Sequence, residues 1–171
     1  MPQKVKTNVV DHRCLDNGNI VEDVTSVALP TVSHPTTEIK AAGMVMAVDM
    51  PNMAQLESME LGISHNNGVN GSTLCNPGKH VLEFRLARQS YTTAEAETEY
   101  ESVKYRITCL HKSTDKGSVE SGNPLGYTDK FSVLRYEEEI NGNIVVIADA
   151  MAGVLQFNGN NVTDDIESIL A

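Results

Sequence analysis

Tryptophan is absent from this 171-residue chain, and only three Phe and five Tyr bring its aromatic content to 5%. That supply is meagre for a soluble β-barrel lining an apolar ligand pocket with aromatic rings. Cysteine is scarce too: Cys14, Cys75 and Cys109 are odd in number and widely scattered. A disulfide framework does not fit such a set, whereas synthesis in a reducing cytoplasm does. Positive charge is the third shortage, with 13 Lys and Arg against 23 Asp and Glu and a formal net charge of -10. That field repels nucleic acids and anionic membranes on average, which excludes a basic-patch reader. It leaves room for a nucleic acid that must pass without sticking. No secretory apolar segment follows MPQKVK, and no apolar run approaches the ~20 residues of a membrane-spanning helix.

Signatures of catalysis are missing as well. There is no GxSxG elbow, and the five histidines (His12, His34, His65, His80, His111) have no recognisable local context. NGNIVVIAD lacks the further glycines of a phosphate cradle. The run Glu137–Glu139 cannot converge on one site if it is extended, because successive side chains on a strand point to opposite faces. It reads instead as a solvated acidic edge that discourages unwanted strand pairing. His12 with Cys14, and Cys109 with His111, would each share a strand face, but two residues make only a minimal metal pair. No catalytic residue, cofactor or metal is expected.

What is present is strand pattern. HVLEFRLAR (His80 to Arg88) alternates Leu82, Phe84 and Leu86 with Glu83 and Arg85, and SVKYRITCLH repeats the alternation with Val103, Tyr105, Ile107 and Cys109. NIVEDVTSVALP reads as one β-branched strand after the turn DNGN. Asn141-Gly142 lies between two strand-like runs, where Asn-Gly supplies the positive φ angles of a type I′ hairpin. Asn158-Gly159 marks a second turn. The long polar stretch His111 to Lys130 reads as a loop. Helix is expected in TDDIESIL alone, with Thr163 as N-cap and Ile166, Ile169 and Leu170 on one side. The Gly/Asn-rich Ser64 to Lys79 reads as loop with room for one short helical turn. At 18.6 kDa, a single mostly-β domain over residues 1–171 follows.

One segment asks to be covered. Ile39 to Ile63 holds five methionines, Met44, Met46, Met50, Met53 and Met59. Methionine is flexible and polarizable, suited to core gaps and to surfaces that repack against partners. The adjacent Ala41, Ala42 and Gly43 permit close backbone approach, which both uses accommodate. A small domain with this many strands must also close into a barrel, form a sandwich, or pair its edges with neighbours.

The ordered set GNIVEDVTSVALPTV, TEIKAAGMVMAVDMPNMAQLESMELGI, LEFRLARQ and YEEEINGNIVVIADAMAGVLQFNG resembles the major tail tube family of contractile-tailed phages. The resemblance spans roughly Asn8 to Leu170, with Asn141-Gly142, Asp149 and Gly159 at matching places. It departs after ELGI, where the family usually places a helix and this chain has its Gly/Asn-rich stretch. The resemblance implies a small β-barrel or sandwich with one or two short helices, whose inner sheet joins neighbours in a ring. It implies hexameric rings stacked into the hollow inner tube of a contractile tail, a conduit for DNA ejection. The implied partners are other copies of the chain, the tail sheath, the tape measure, baseplate and tail terminator proteins, and viral DNA in transit, with no membrane. The implied location is the virion tail, assembled in the host bacterial cytoplasm. Ala41, Ala42, Gly43, Met44 and Met46 then become candidates for the self-assembly interface. Asp49, Glu57, Glu60 and Glu83, read as lying on strand-like segments, become candidates for an acidic lumen. Six copies at -10 give about -60 per ring, which would repel a phosphate backbone. A tail-like bacteriocin or type VI secretion tube shares this architecture, so the DNA-free device stays open.

Overall fold

The computed structural model describes residues 4–67, 73–93 and 97–171. The strands are β1 (Lys4–Asp16), β2 (Asn19–Val21), β3 (Val24–Ala28), β4 (Thr36–Ile39), β5 (Val48–Pro51), β6 (Glu60–His65), β7 (Lys79–Thr92), β8 (Glu97–Asp115), β9 (Tyr127–Ile140), β10 (Asn143–Asp149), β11 (Val154–Phe157) and β12 (Asn160–Asn161). A single 3-10 turn, Thr73–Cys75, and a terminal helix α1, Asp164–Leu170, complete the described chain. The fold is mainly β, as the alternation predicts.

One antiparallel sheet runs β12-β11-β10-β9-β8-β7-β1-β2, and β6 joins β3 to it by pairing with β9. Strand β9 shares one edge between two partners, β6 along Tyr127–Ser132 and β10 along Arg135–Ile140. The sheet curls over a core whose members come from the predicted alternations. Leu82 and Phe84 of β7 face Ile107 and Cys109 of β8, with Leu61, Ile63 and Phe131 closing the layer from β6 and β9. Leu61, Ile63, Leu82, Ile107 and Phe131 are wholly buried.

The Asn-Gly turns form as their chemistry requires. Asn141 (φ 50°) and Gly142 (φ 83°) join β9 to β10, and Asn158 (φ 49°) and Gly159 (φ 85°) join β11 to β12. These are type I′ values, which a β-branched residue resists. Asn141 fixes the turn further: its amide accepts from the Ser102 backbone N–H at 3.0 Å through Oδ1. Gly142→Val is expected to destabilise the domain by roughly 1 kcal/mol or more, and a thermal melt showing an unchanged midpoint would contradict this.

Three expectations are corrected, and a fourth holds in position but not in its side-chain bond. The stretch Asn19 to Pro30 is two strands, because Asp23 adopts a positive φ of 63° and bends the chain between β2 and β3. The His111 to Lys130 loop shrinks to residues 116–126, since β8 continues to Asp115 and β9 starts at Tyr127. Thr163 stands at the N-cap position but makes no side-chain cap; its hydroxyl bonds Asn161 Oδ1 at 2.9 Å. Glu137–Glu139 is not an edge. It lies in β9, inside the sheet, where Lys104 and Arg106 of β8 stand in register with Glu139 and Glu137. Arg106 Nη1 donates to Glu137 at 2.8 Å, and Lys104 Nζ donates to Glu139 at 3.0 Å. The stretch Ser64 to Lys79 holds the expected short turn at Thr73–Cys75, while residues 68–72 of it lie outside the described residues.

Candidate assembly surfaces

The methionine-rich segment forms an arm. Strands β4 and β5 pair only with each other, apart from the main sheet, and carry the loop 40–47 at their far end. The arm is anchored at its base: Glu57 N–H bonds Ser33 O at 2.9 Å, Asn52 N–H bonds Pro35 O at 2.8 Å, and the His34 ring lies 2.8 Å from Gln55 O. A core role for this stretch is overturned from Ile39 to Met53. Ala41, Ala42, Gly43, Met44 and Met46 are all exposed, with Val45 wholly so and Met46 at 71%. Only Leu56, Met59, Leu61 and Ile63 reach the core. A two-stranded arm has no second layer to cover it, so its apolar side chains meet water in the lone chain.

A second surface is a ribbon that outruns the core. At ~3.3 Å per residue, the 19 residues of β8 span about 60 Å, far more than the core beneath them. Strands β1, β7 and β8 continue together into this overhang, from Lys4↔Thr92 and Thr92↔Glu97 inward. Val5, Val9, Val10, Tyr91 and Tyr100 are exposed on it. Ion pairs hold the ribbon together: Lys4 meets Glu99, and Lys6 and Arg88 converge on Glu101, which is 6% exposed. Among the described residues the outer edge of β1 from Lys4 to Arg13 has no strand partner, so it can pair with another chain, although the His12 N–H is taken by Asp11 Oδ1 at 2.8 Å. Nothing in the sequence pattern marks this overhang as extending beyond the core. Helix α1 adds a smaller apolar patch, with Ile169 and Leu170 exposed.

The acidic candidates divide. Asp49 lies on β5 directly opposite Glu38, two carboxylates in cross-strand register on the exposed arm. Glu57 is not on a strand but in the connection between β5 and β6, where it accepts a hydrogen bond from Ser33 Oγ at 2.8 Å. Glu60 is on β6 and pairs with Lys112 at 2.6 Å and Lys130 at 3.2 Å. Glu83 is on β7 between Arg85 and Arg106. The last two positions are therefore locally neutralised, and the uncompensated negative charge sits on Asp49 and Glu57.

Several carboxylates are held below their usual range. For Glu101 the hydrogen bond from Lys6 is the main cause, opposed by burial and reinforced by Arg88. For Asp149 it is the backbone N–H of Ala152, again opposed by burial and reinforced by Arg135 and the Met151 N–H. Both N–H groups reach Oδ1 at 3.0 Å, and Arg135 Nη1 reaches Oδ2 at 3.1 Å, so Asp149 pins the turn after β10. A depressed folded pKa gives stability that is present above the unfolded value and lost as pH falls through the folded one. The thermal midpoint is thus expected to be flat near neutrality and to fall below about pH 4. Asp149→Asn, which keeps an acceptor but loses the charge, is expected to cost about 1 kcal/mol at neutral pH. Its deficit against the parent should vanish in melts at low pH; a deficit that grows with acid would contradict the assignment.

The cysteines of the two spaced Cys–His pairs belong to the core. Cys14 and Cys109 are core residues whose thiols burial pushes up to about 12. His111 instead faces Cys75 and Asp129, residues far from it in sequence. The broad cleft between residues 54–59 and strands β10 and β11 carries no aromatic side chain.

The sequence model of the family described as phage tail tube protein FII matches residues 10–170. No curated protein sequence matches significantly. Among solved structures, the chain is similar to one from the sheath/tube terminator of an extracellular contractile injection system, PVC, in its extended state. That similarity has a TM-score of 0.52 at 16% identity, over 78% of this chain and 96% of the other. A chain of the PVC sheath-tube complex in the extended state gives a TM-score of 0.53 at 13% identity, over 75% of this chain and 87% of the other. At such identities the likeness is one of fold.

Proposed function

Because the chain belongs to the phage tail tube protein FII family, we propose that it assembles into hexameric rings that stack into the hollow tube of a contractile tail or tail-like device. The role is structural. The observation that carries this reading is the pair of surfaces a lone chain leaves uncovered, the apolar β4–β5 arm and the open-edged ribbon of β1, β7 and β8. The ribbon edge suits strand pairing between neighbours within a ring, and the arm suits insertion into an adjacent copy, with Ala41, Ala42, Gly43, Met44 and Met46 at the contact. A sheath protein is the natural outer partner, as in the PVC sheath-tube complex; tape measure, baseplate and terminator proteins follow from the same architecture. Particles of this kind act outside the cell after assembly in the host bacterial cytoplasm.

A phage conduit and a DNA-free injector both fit this fold. The net charge of -10 per chain favours free passage of DNA through the phage version. With Glu60 and Glu83 neutralised, Asp49 and Glu57 are the better lumen residues. Capsid or packaging genes beside the coding sequence would select the phage reading. A ligand-binding barrel is the weaker reading, since an aromatic-lined pocket is what it needs and the broad cleft has none. Negative-stain electron microscopy of the concentrated protein tests the proposal: six-fold rings or hollow tubes are expected. A protein that stays monomeric in light scattering, alone and with its sheath protein, would overturn it.

A further inference from the structure

His65 is an oddity of the interior. It is 2% exposed, and neither ring nitrogen has a hydrogen-bond partner. Its Nε2 lies 3.5 Å from Asp129 Oδ2, an ion-pair distance rather than a hydrogen bond. A buried imidazole with neither nitrogen partnered is costly unless something takes its lone pair.

What stands beside it is a set of soft and borderline donors. Donor atoms of Cys75, His111 and Asp129 lie within 4.8 Å of one another. Cys75 Sγ is 3.7 Å from Asp129 Oδ1, and His111 Nε2 is 4.0 Å from the same oxygen. The edges of a tetrahedron drawn from ordinary zinc–ligand bonds are roughly 3.3–3.8 Å, so small side-chain rotations would close the set. Thr114 organises it: Oγ1 donates to Asp129 Oδ1 and lies 2.9 Å from His111 Nε2 and 3.0 Å from Cys75 Sγ. The residues come from four places, the end of β6, the 3-10 turn, β8 and β9. Strand register brings them together, with Thr114 opposite Asp129 and Ile63, two residues before His65, also opposite Asp129.

We propose that Cys75, His111 and Asp129 form a structural transition-metal site that takes Zn²⁺, with His65, now 3.5 Å from the other Asp129 oxygen and outside the close set, turning in as the fourth ligand. One thiolate, two imidazoles and one carboxylate complete a four-coordinate shell of the kind zinc prefers, leaving no open position for catalysis. The metal would displace the Thr114 hydroxyl, which now touches all three donors, and would tie the connection between β6 and β7 to the sheet through Cys75. Cys75 is suited to this role because, unlike Cys14 and Cys109, it is only partly buried.

The test uses the full chain, stripped with chelator under reducing conditions and titrated with Co²⁺ and then Zn²⁺. One equivalent of Co²⁺ should give a thiolate-to-cobalt charge-transfer band and the intense visible bands of a four-coordinate ion, both bleached by Zn²⁺. Cys75→Ser and His111→Gln should each weaken binding by more than about a hundredfold. Zn²⁺ should also shield Cys75, and not Cys14 or Cys109, from alkylation in the parent protein, a readout that does not depend on any variant folding. Absence of the charge-transfer band, full affinity in Cys75→Ser, or alkylation of Cys75 at an unchanged rate would each overturn the site.

Discussion

Replacing residues 40–47 by Asn-Gly is expected to leave the subunit folded and to abolish tube formation. Ile39 and Val48 are the last register pair of the arm, so a two-residue type I′ loop can close it directly. Shortening an eight-residue loop to two lowers the closure cost by about 1.2 kcal/mol, so the monomer should melt no lower than the parent. Assembly is another matter. The replacement removes Met44, Val45 and Met46, which are exposed in the lone chain. Each such side chain is worth roughly 1.5–3 kcal/mol if a neighbour buries it. Even half of that total, about 2–4.5 kcal/mol per subunit, is roughly 40- to 1,500-fold in association constant. Gly43→Arg is a milder form of the same test. Gly43 has a φ of 92°, and nothing lies within 4 Å of the point where a Cβ would stand, so Arg strains one turn without striking the subunit. Sedimentation and electron microscopy should show monomers for both variants where the parent forms larger species. Tubes formed by the shortened arm at the parental concentration would place the arm outside every interface.

Phe131→Ala should have the largest effect on the subunit itself, about 3–5 kcal/mol. Phe131 is wholly buried in β9, with the His80 and His111 rings edge-on to it at 5.6 and 5.7 Å. A cavity there is bounded by three strands in one hydrogen-bonded sheet, which limits collapse. Against a typical total of 5–15 kcal/mol, such a loss lowers the thermal midpoint by about 6–20 °C in a domain of this size. A urea titration giving less than about 1 kcal/mol would mean that the core does not centre on Phe131. Because His111 packs on the same ring, the variant should weaken metal binding only as far as it loosens that imidazole, unlike Cys75→Ser.

The sequence by itself determined the class of fold, most strands and the turns between them. Alternation of Leu82, Phe84 and Leu86, or of Val103, Ile107 and Cys109, is a property of neighbouring residues, and a strand's two faces follow from it directly. Asn141-Gly142 and Asn158-Gly159 carry their positive φ angles locally, whatever surrounds them. The family was legible for the same reason, as an ordered series of such local signals. Only the tertiary structure decided what depends on register and on layers. Glu137–Glu139 looks like a solvated edge until Lys104 and Arg106 are brought opposite by β8. The methionines of Ile39 to Met53 fit a core until β4 and β5 stand apart with no layer above them. Cys109 and His111 suggest a pair by spacing, yet the fold buries Cys109 in the core and sets His111 beside Cys75 and Asp129. Contacts between residues tens of positions apart are set by which strands pair and with what offset, and a single chain's local pattern carries no record of that offset.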